Sequence, residues 1–192
     1  MYKLFIALSL LFISCGNHYT TPHVVITTNY GVIEAELFPD KAPKTVAAFL
    51  SYVDSGFYKN SSFYRVLFIE SPASNYNFGL IQGGIWQSNS TKASTLPGIQ
   101  HESPTQTGLS HTSGTLSLAR GVAGSANTEF FICVGDQTQY DSSTTTNPDG
   151  LGYAAFGRVT QGMDIVRKIH SQPSNGQAFI RPIVITAIER IK

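Results

Sequence analysis

Phe63-Tyr64-Arg65-Val66, then Leu80-Ile81-Gln82-Gly83-Gly84, then Glu129-Phe130-Phe131-Ile132 set one guanidinium, one amide and one aromatic ring among apolar, strand-forming neighbours. A guanidinium keeps its charge at any ordinary pH and offers five N–H donors in a rigid fork. The combination suits a groove that grips proline and perturbs the amide bond beside it. Such chemistry needs neither nucleophile nor cofactor. Rotation about an Xaa–Pro bond is opposed by amide resonance, a barrier of about 20 kcal/mol, and a catalyst has only to bind the twisted form better than either planar one. The twisted imide nitrogen becomes pyramidal and gains a lone pair, so a fixed N–H donor aimed at it stabilises that geometry selectively. Arg65 is the candidate donor. Taken by position alone, a surface ion pair with a carboxylate is the favoured reading of this arginine.

The elements that must position these groups are mostly strands. Residues 24–28 and 32–37 flank Asn29-Tyr30-Gly31, and Ile33, Ala35 and Leu37 alternate with Glu34 and Glu36 as in a half-buried hairpin strand. Further strands are expected at 62–67, 80–83, 114–119, 130–134, 154–159 and 183–190. Pro43, then Val46, Phe49, Leu50 and Val53 at helical spacing with Gly56 as terminator, mark one amphipathic helix. Residues 162–170, with Met163, Val166 and Ile169, mark a second. Many short strands and two widely separated helices predict a mostly β fold, a closed antiparallel barrel whose ends the helices cover. Three long polar loops, 68–78, 86–100 and 137–152, suit either a binding face or plain surface insertions.

The N-terminus reads separately. Lys3, an apolar run from Leu4 to Ile13 and then Ser14-Cys15 match a secretory signal better than a membrane span, which needs about 20 apolar residues. The sequence Leu11-Phe12-Ile13-Ser14-Cys15 is similar to a bacterial lipobox, which implies a signal peptide over 1–14, a lipid such as palmitate on Cys15 and a short tether over 15–22. An ordinary cleaved signal with an incidental cysteine is the alternative. Residues 23–192 then form a single domain. With Cys15 lipidated, Cys133 is the one thiol left, expected to be buried and inert. Net charge is +1 and no Lys/Arg run occurs, so nucleic acid is excluded as a partner on electrostatic grounds. The five histidines show no metal-ligand spacing, and no metal is expected.

The order of blocks resembles the cyclophilin family of peptidyl-prolyl cis-trans isomerases over nearly the whole chain after the tether. Besides the three blocks above, the likeness rests on Gly31-Val32-Ile33, Ala42-Pro43-Lys44-Thr45-Val46, Phe57-Tyr58, Thr115-Leu116-Ser117-Leu118-Ala119-Arg120, Ser125-Ala126-Asn127-Thr128, Gly152-Tyr153-Ala154-Ala155-Phe156-Gly157-Arg158-Val159 and Gly162-Met163-Asp164-Ile165-Val166. The resemblance implies an eight-stranded barrel capped by two helices, no cofactor, and proline-containing polypeptides as partners of a monomeric domain. By matching position it makes Arg65, Gln82 and Phe131 the catalytic set: Phe131 forms the floor under the proline ring and Gln82 holds Arg65 or a substrate carbonyl. Tyr64, Leu80, Arg120, Glu129, Tyr140 and Tyr153 fall at substrate-binding positions, Arg120 through its backbone. For Phe131, Leu80 and Tyr140 the bland alternative is core packing.

This chain departs from the family pattern at several places. Tyr64 stands for the usual histidine, Glu129 for glutamine, Ile85 for aspartate, Gly79 for phenylalanine and Gln139 for tryptophan or phenylalanine. Phe78, from a shifted register, is a candidate to fill the space at Gly79. A branch of the family with Phe-Tyr-Arg-Val and Glu-Phe-Phe-Ile looks similar. Glu129 is placed where it would orient Arg65 or draw its charge off the substrate. Two other functions stay open: a proline-peptide-binding or scaffold module with little turnover, and a hydrolase built on Ser110-His111 or His101-Glu102. The lipid implies a location in the bacterial cell envelope, facing the periplasm, where exported chains wait on slow proline isomerisation. Gly16 after the cysteine tilts this toward the outer membrane.

Overall fold

The computed structural model describes residues 19–69, 78–142 and 148–191. The signal, Cys15, most of the 68–78 loop and the Ser/Thr run near 142–146 lie wholly or largely outside them. The strands are β1 (His23–Thr28), β2 (Gly31–Leu37), β3 (Ser61–Ile69), β4 (Phe78–Gly84), β5 (Thr115–Leu118), β6 (Phe130–Val134), β7 (Ala154–Gln161), β8 (Ser174–Asn175) and β9 (Ala178–Ile191). They run in the order β1-β2-β7-β5-β6-β4-β3-β9, every pair antiparallel, and β1 pairs back onto β9 to close the barrel. Eight strands therefore form the wall. The two-residue β8 is an appendage folded against β9.

Both expected helices are present, α1 (Pro43–Asp54) and α4 (Met163–His170). Two short ones are additional: α2 (Ser90–Thr95), inside the stretch read as the 86–100 loop, and α3 (Pro104–Thr107), between that stretch and β5. Their signals are local. Asn89 accepts the Lys92 N–H at 3.0 Å as the N-cap of α2, and Ser103 and Gln106 form a reciprocal capping box on α3. Helix α1 packs against β7 and β9, and α4 against β2, β4 and β6.

Strand alternation splits the apolar residues into two bodies. Phe63, Val66, Ile81, Phe130, Ile132 and Val134 point inward and join Phe49 of α1, Tyr58 and Phe156 in the main core. Phe49 lies 4.9 Å from Phe156 and 5.7 Å from Phe130, ring centre to ring centre. Each such fully buried ring contributes roughly 1.5–3 kcal/mol of transfer free energy. The intervening residues Leu80, Phe131 and Cys133 point outward and form a second, smaller cluster with Tyr140. Burial pushes the Cys133 thiol well above its usual range, which leaves it protonated and unreactive.

Helix α1 begins without a side-chain cap from its own N-cap residue, Ala42. Glu102 supplies one from a distance: its carboxylate accepts the Lys44 N–H at 3.1 Å, and the Thr45 N–H and hydroxyl at 2.9 and 2.7 Å. A carboxylate at the positive end of a helix satisfies orphan donors and meets the helix dipole favourably. Replacing Glu102 with alanine is therefore expected to lower stability by roughly 1–2 kcal/mol, read as a shift in the urea midpoint without a change in slope.

Candidate active site

Register across four strands builds the site. Arg65 on β3 pairs with Gln82 on β4, Gln82 with Phe131 on β6, and Phe131 with Ser117 on β5. Directly opposed residues have Cβ atoms about 5 Å apart. Groups 17 and 49 positions apart in sequence thus become neighbours in one row. An ordinary strand would turn Arg65 inward, because Phe63 is a core residue two positions earlier. The register of β3 slips between Phe63 and Arg65 against both β4 and β9. The extra residue of this bulge lets Tyr64 and Arg65 both face outward while Val66 returns to the core.

The row opens into a groove of about 510 Å³ whose lining includes Arg65, Leu80, Gln82, Phe131, Tyr140 and Tyr153. Arg120 and Glu129 also line it; Tyr64 stands behind, reaching the groove through Gln82 and Glu129. Arg65 is held from two sides. Nη1 donates to Gln82 Oε1 at 2.7 Å, while Nε and Nη2 both donate to Gln177 Oε1, at 2.9 and 2.6 Å. These bonds take three of the five guanidinium N–H groups, leaving one on each η nitrogen without a partner among the described residues.

Gln177 is absent from the sequence-derived set. It sits in the two-residue turn between β8 and β9 after Gly176, whose φ of 57° suits the first central position of a tight hairpin turn. Asn175-Gly176 was a readable hairpin signal. Pro182 interrupts the run that follows it and concealed the first third of β9. Trp86, half exposed, was missed as well; it rims the groove next to Gly84.

Phe131 is 2% exposed, and polar residues hold it from below. His111 stacks on it, ring centres 5.8 Å apart and planes 17° apart, while Tyr140 and Tyr153 meet it edge-on at 5.6 and 5.4 Å. The His111 Nδ1–H donates to Asp141 at 2.6 Å, and Nε2 accepts the Ser117 hydroxyl at 2.9 Å. That tautomer follows because a carboxylate only accepts. A serine, a histidine and an aspartate stand in line here as in a hydrolase, yet Ser117 and His111 are both 0% exposed. Ser110 donates to Asp141 rather than to His111, and Glu102 is the α1 cap. Ser110 is exposed, but its hydroxyl is tied to a carboxylate and not to an imidazole base, and His101-Glu102 brings no hydroxyl or thiol nucleophile, so the hydrolase alternative is set aside.

Arg120 lines the groove, and its side chain is buried and locked in place. The guanidinium makes a bidentate pair with Asp149, at 2.7 and 2.8 Å, and donates to the Gly152 carbonyl. Hydrogen bonds from Arg120 hold the exposed Asp149 well below the usual carboxylate range. Tyr153 lies under the Arg120 guanidinium, 5.5 Å from its ring centre.

Glu129 does not pair with Arg65. Its oxygens accept from the Tyr64 hydroxyl at 2.6 Å, the Trp86 N–H at 3.0 Å and the Thr128 hydroxyl at 3.1 Å. Burial raises its pKa, opposed by those donors. A Cβ on Gly84 would collide with this carboxylate, which explains the second glycine of Gln-Gly-Gly. Phe78 does not enter the space left by Gly79: its ring lies against Gly135, where a side chain would overlap it, and β4 runs in regular register from Phe78 to Gln82 against β3.

Residues 23–190 match the family model described as cyclophilin type peptidyl-prolyl cis-trans isomerase/CLD. Among curated relatives, peptidyl-prolyl cis-trans isomerase A of Dickeya dadantii is 36% identical over 179 residues, 90% of this chain and 86% of the relative. Peptidyl-prolyl cis-trans isomerase B of Escherichia coli is 39% identical over 147 residues, 76% of this chain and 82% of the relative. A cyclophilin-type isomerase of Cryptosporidium parvum superposes with a TM-score of 0.70 at 24% identity, covering 90% of this chain and 98% of that one. That likeness establishes the fold.

The support beneath Phe131 is pH-sensitive. Burial holds the His111 pKa below its ordinary 6.5, so the folded chain binds fewer protons there than the unfolded one. Its contribution to stability is complete above about pH 6.5 and is lost as pH falls from there through the folded pKa. Asp141 is depressed below 3.8: burial would raise it, but hydrogen bonds from Ser110 and His111 prevail, so its share is lost only in a more acidic window. Urea unfolding from pH 7 to 5 is expected to show a smaller loss of stability for His111→Gln than for the unaltered chain. His170, also depressed by burial, accounts for part of what remains.

Proposed function

The chain belongs to the cyclophilin family and is a peptidyl-prolyl cis-trans isomerase, and from that premise we propose that Arg65 drives the rotation by donating to the imide nitrogen as it leaves the amide plane. The observation that carries this reading is a permanently charged fork tied to Gln82 and Gln177, with N–H groups to spare, at the wall of a groove floored by Phe131. Planar cis and trans imides delocalise the nitrogen lone pair and accept poorly there; the twisted form accepts well. The donor therefore lowers the barrier without favouring either end state. Two anchors mean that little reorganisation is needed at the moment of rotation.

The remaining groups divide binding between ring and backbone. Phe131, with Leu80 beside it, takes the face of the proline ring, and Tyr140 and Tyr153 close its sides. The Arg120 backbone pairs with the extended peptide, its side chain being kept out of the way by Asp149. Gln82 anchors Arg65, and Tyr64 and Glu129 stand behind Gln82. Arg65→Ala is expected to lower kcat/KM on a proline peptide by roughly a hundredfold or more while retaining the far-ultraviolet spectrum and melting temperature. A variant with full rate would eliminate the mechanism.

The working place of the domain in this reading is the bacterial cell envelope. Lipid on Cys15, with the short tether of residues 15–22, holds the isomerase facing the periplasm, in the outer membrane, where it accelerates the folding of exported chains. Cys15 lies outside the described residues, and the reading rests on Leu11-Phe12-Ile13-Ser14-Cys15 after a basic start and an apolar run. Labelled palmitate is expected to enter the full-length chain and not its Cys15→Ser variant, and fractionation of the variant should find the protein released from membranes. Equal labelling of both would overturn the anchor.

A further inference from the structure

One continuous series of hydrogen bonds runs from Arg65 to Glu129. Arg65 Nη1 donates to Gln82 Oε1 at 2.7 Å, Gln82 Nε2 donates to the Tyr64 hydroxyl at 3.2 Å, and that hydroxyl donates to Glu129 Oε2 at 2.6 Å. Every donor in it points the same way. The direction is not intrinsic to its middle members, since an amide can be turned end for end and a phenol can either donate or accept. A guanidinium at one end only donates and an ionised carboxylate at the other only accepts, so the two ends fix the middle.

We infer that Glu129 is a positioning residue for Arg65, acting through Tyr64 and Gln82 by fixing which end of the Gln82 amide faces the guanidinium. With Glu129 ionised, Tyr64 must give it the phenolic proton; the phenol oxygen then accepts from Gln82 Nε2, and Oε1 is left toward Arg65. With Glu129 protonated, its own O–H can donate to Tyr64. Tyr64 then seeks an acceptor in Gln82, and the amide turns its NH₂ toward the guanidinium, where donor faces donor. The anchor on Nη1 is lost, and Arg65 keeps only Gln177. This rests on Arg65 carrying the isomerisation, as proposed above.

The surroundings make Glu129 the group of this network that titrates in the acid range. Tyr58 and Tyr64 face it, and burial together with the Glu129 charge pushes both phenols up, so they keep their protons. Arg65 stays charged throughout, and Trp86 and Thr128 contribute only a backbone N–H and a hydroxyl. Burial raises the Glu129 pKa above its ordinary 4.5. Among the described residues, the other acid-range groups near the groove are His111 and Asp141, on the far side of Phe131, and Asp149 and His101, beside Arg120.

Isomerisation of an alanyl-prolyl peptide, followed by NMR exchange, tests the relay across neutral to mildly acidic pH for the unaltered chain, Glu129→Gln, Tyr64→Phe and their double variant. At neutral pH each single variant is expected to lose roughly three- to tenfold in kcat, the worth of one hydrogen bond at the transition state. The Kd for the peptide, read independently by the fluorescence of the single tryptophan, Trp86, should change little. The double variant should be no slower than Tyr64→Phe alone, because both cut one series. The acid limb of the unaltered chain should shrink in Glu129→Gln, the remainder belonging to the groups behind Phe131 and beside Arg120. Multiplicative losses in the double variant, or superimposable pH profiles for Glu129→Gln and the unaltered chain, would overturn the relay. Should Glu129→Gln fail to fold, a flat acid profile in the unaltered chain or full kcat in Tyr64→Phe overturns it equally. Loss of rate in Arg65→Ala together with either outcome sinks the relay alone, whereas full rate in Arg65→Ala sinks the mechanism beneath it.

Discussion

Strand register is the constraint on which the rest of this molecule depends. Arg65, Gln82, Phe131 and Ser117 sit on four strands, and what makes them one site is that they occupy a single rung of the ladder. Side chains alternate with a period of two, so a slip of one residue in β4 or β6 would send Gln82 or Phe131 into the barrel and bring Ile81 or Ile132 out. The main core forbids this, because Phe130, Ile132 and Ile81 have no other place to be buried. The apolar interior thus specifies the polar surface. The bulge at Tyr64 is a local exception, and it is what puts a cation outward on a strand whose flanking residues are core.

Two polar series run behind the groove and have different duties. One, from Arg65 to Glu129, lies along the wall and ends in opposite charges. The other, from Ser117 through His111 to Asp141, lies under the floor and holds the Phe131 ring from behind. Both contain a carboxylate that burial alone would raise and that several donors hold, and the sums differ: burial prevails at the more deeply buried Glu129, which ends above its ordinary value, and the donors prevail at Asp141, which ends below. Partly buried polar groups of this kind hold geometry only while every member is satisfied.

Much of this was legible in the chain itself. Alternation in Ile33 to Leu37 and helical spacing in Val46 to Val53 located β2 and α1, and the ordered blocks located the groove. What escaped reading did so for physical reasons. Gln177 lies 112 positions from Arg65, and only tertiary pairing of β3 with β9 brings them together. Pro182 reads as a breaker, although β9 continues past it through an irregular stretch at the barrel edge where β3 pairing shifts. Helices α2 and α3 are shorter than any hydrophobic period can reveal and are set by single caps. The role of Glu129 depended on a question spacing cannot answer, namely which of two nearby donors its carboxylate meets.

Closure of the wall by β1 on β9 has a bearing on how a peptidyl-prolyl isomerase meets extended polypeptides. An open sheet offers a row of vacant amide and carbonyl groups on which any extended polypeptide can template an added strand. Here both would-be border strands are spent on each other, and the lone outlying strand, Ser174–Asn175, is two residues long. Among the described residues, an extended polypeptide therefore finds little unpaired strand backbone to add to outside the groove, which leaves the groove as the place where such a chain is held.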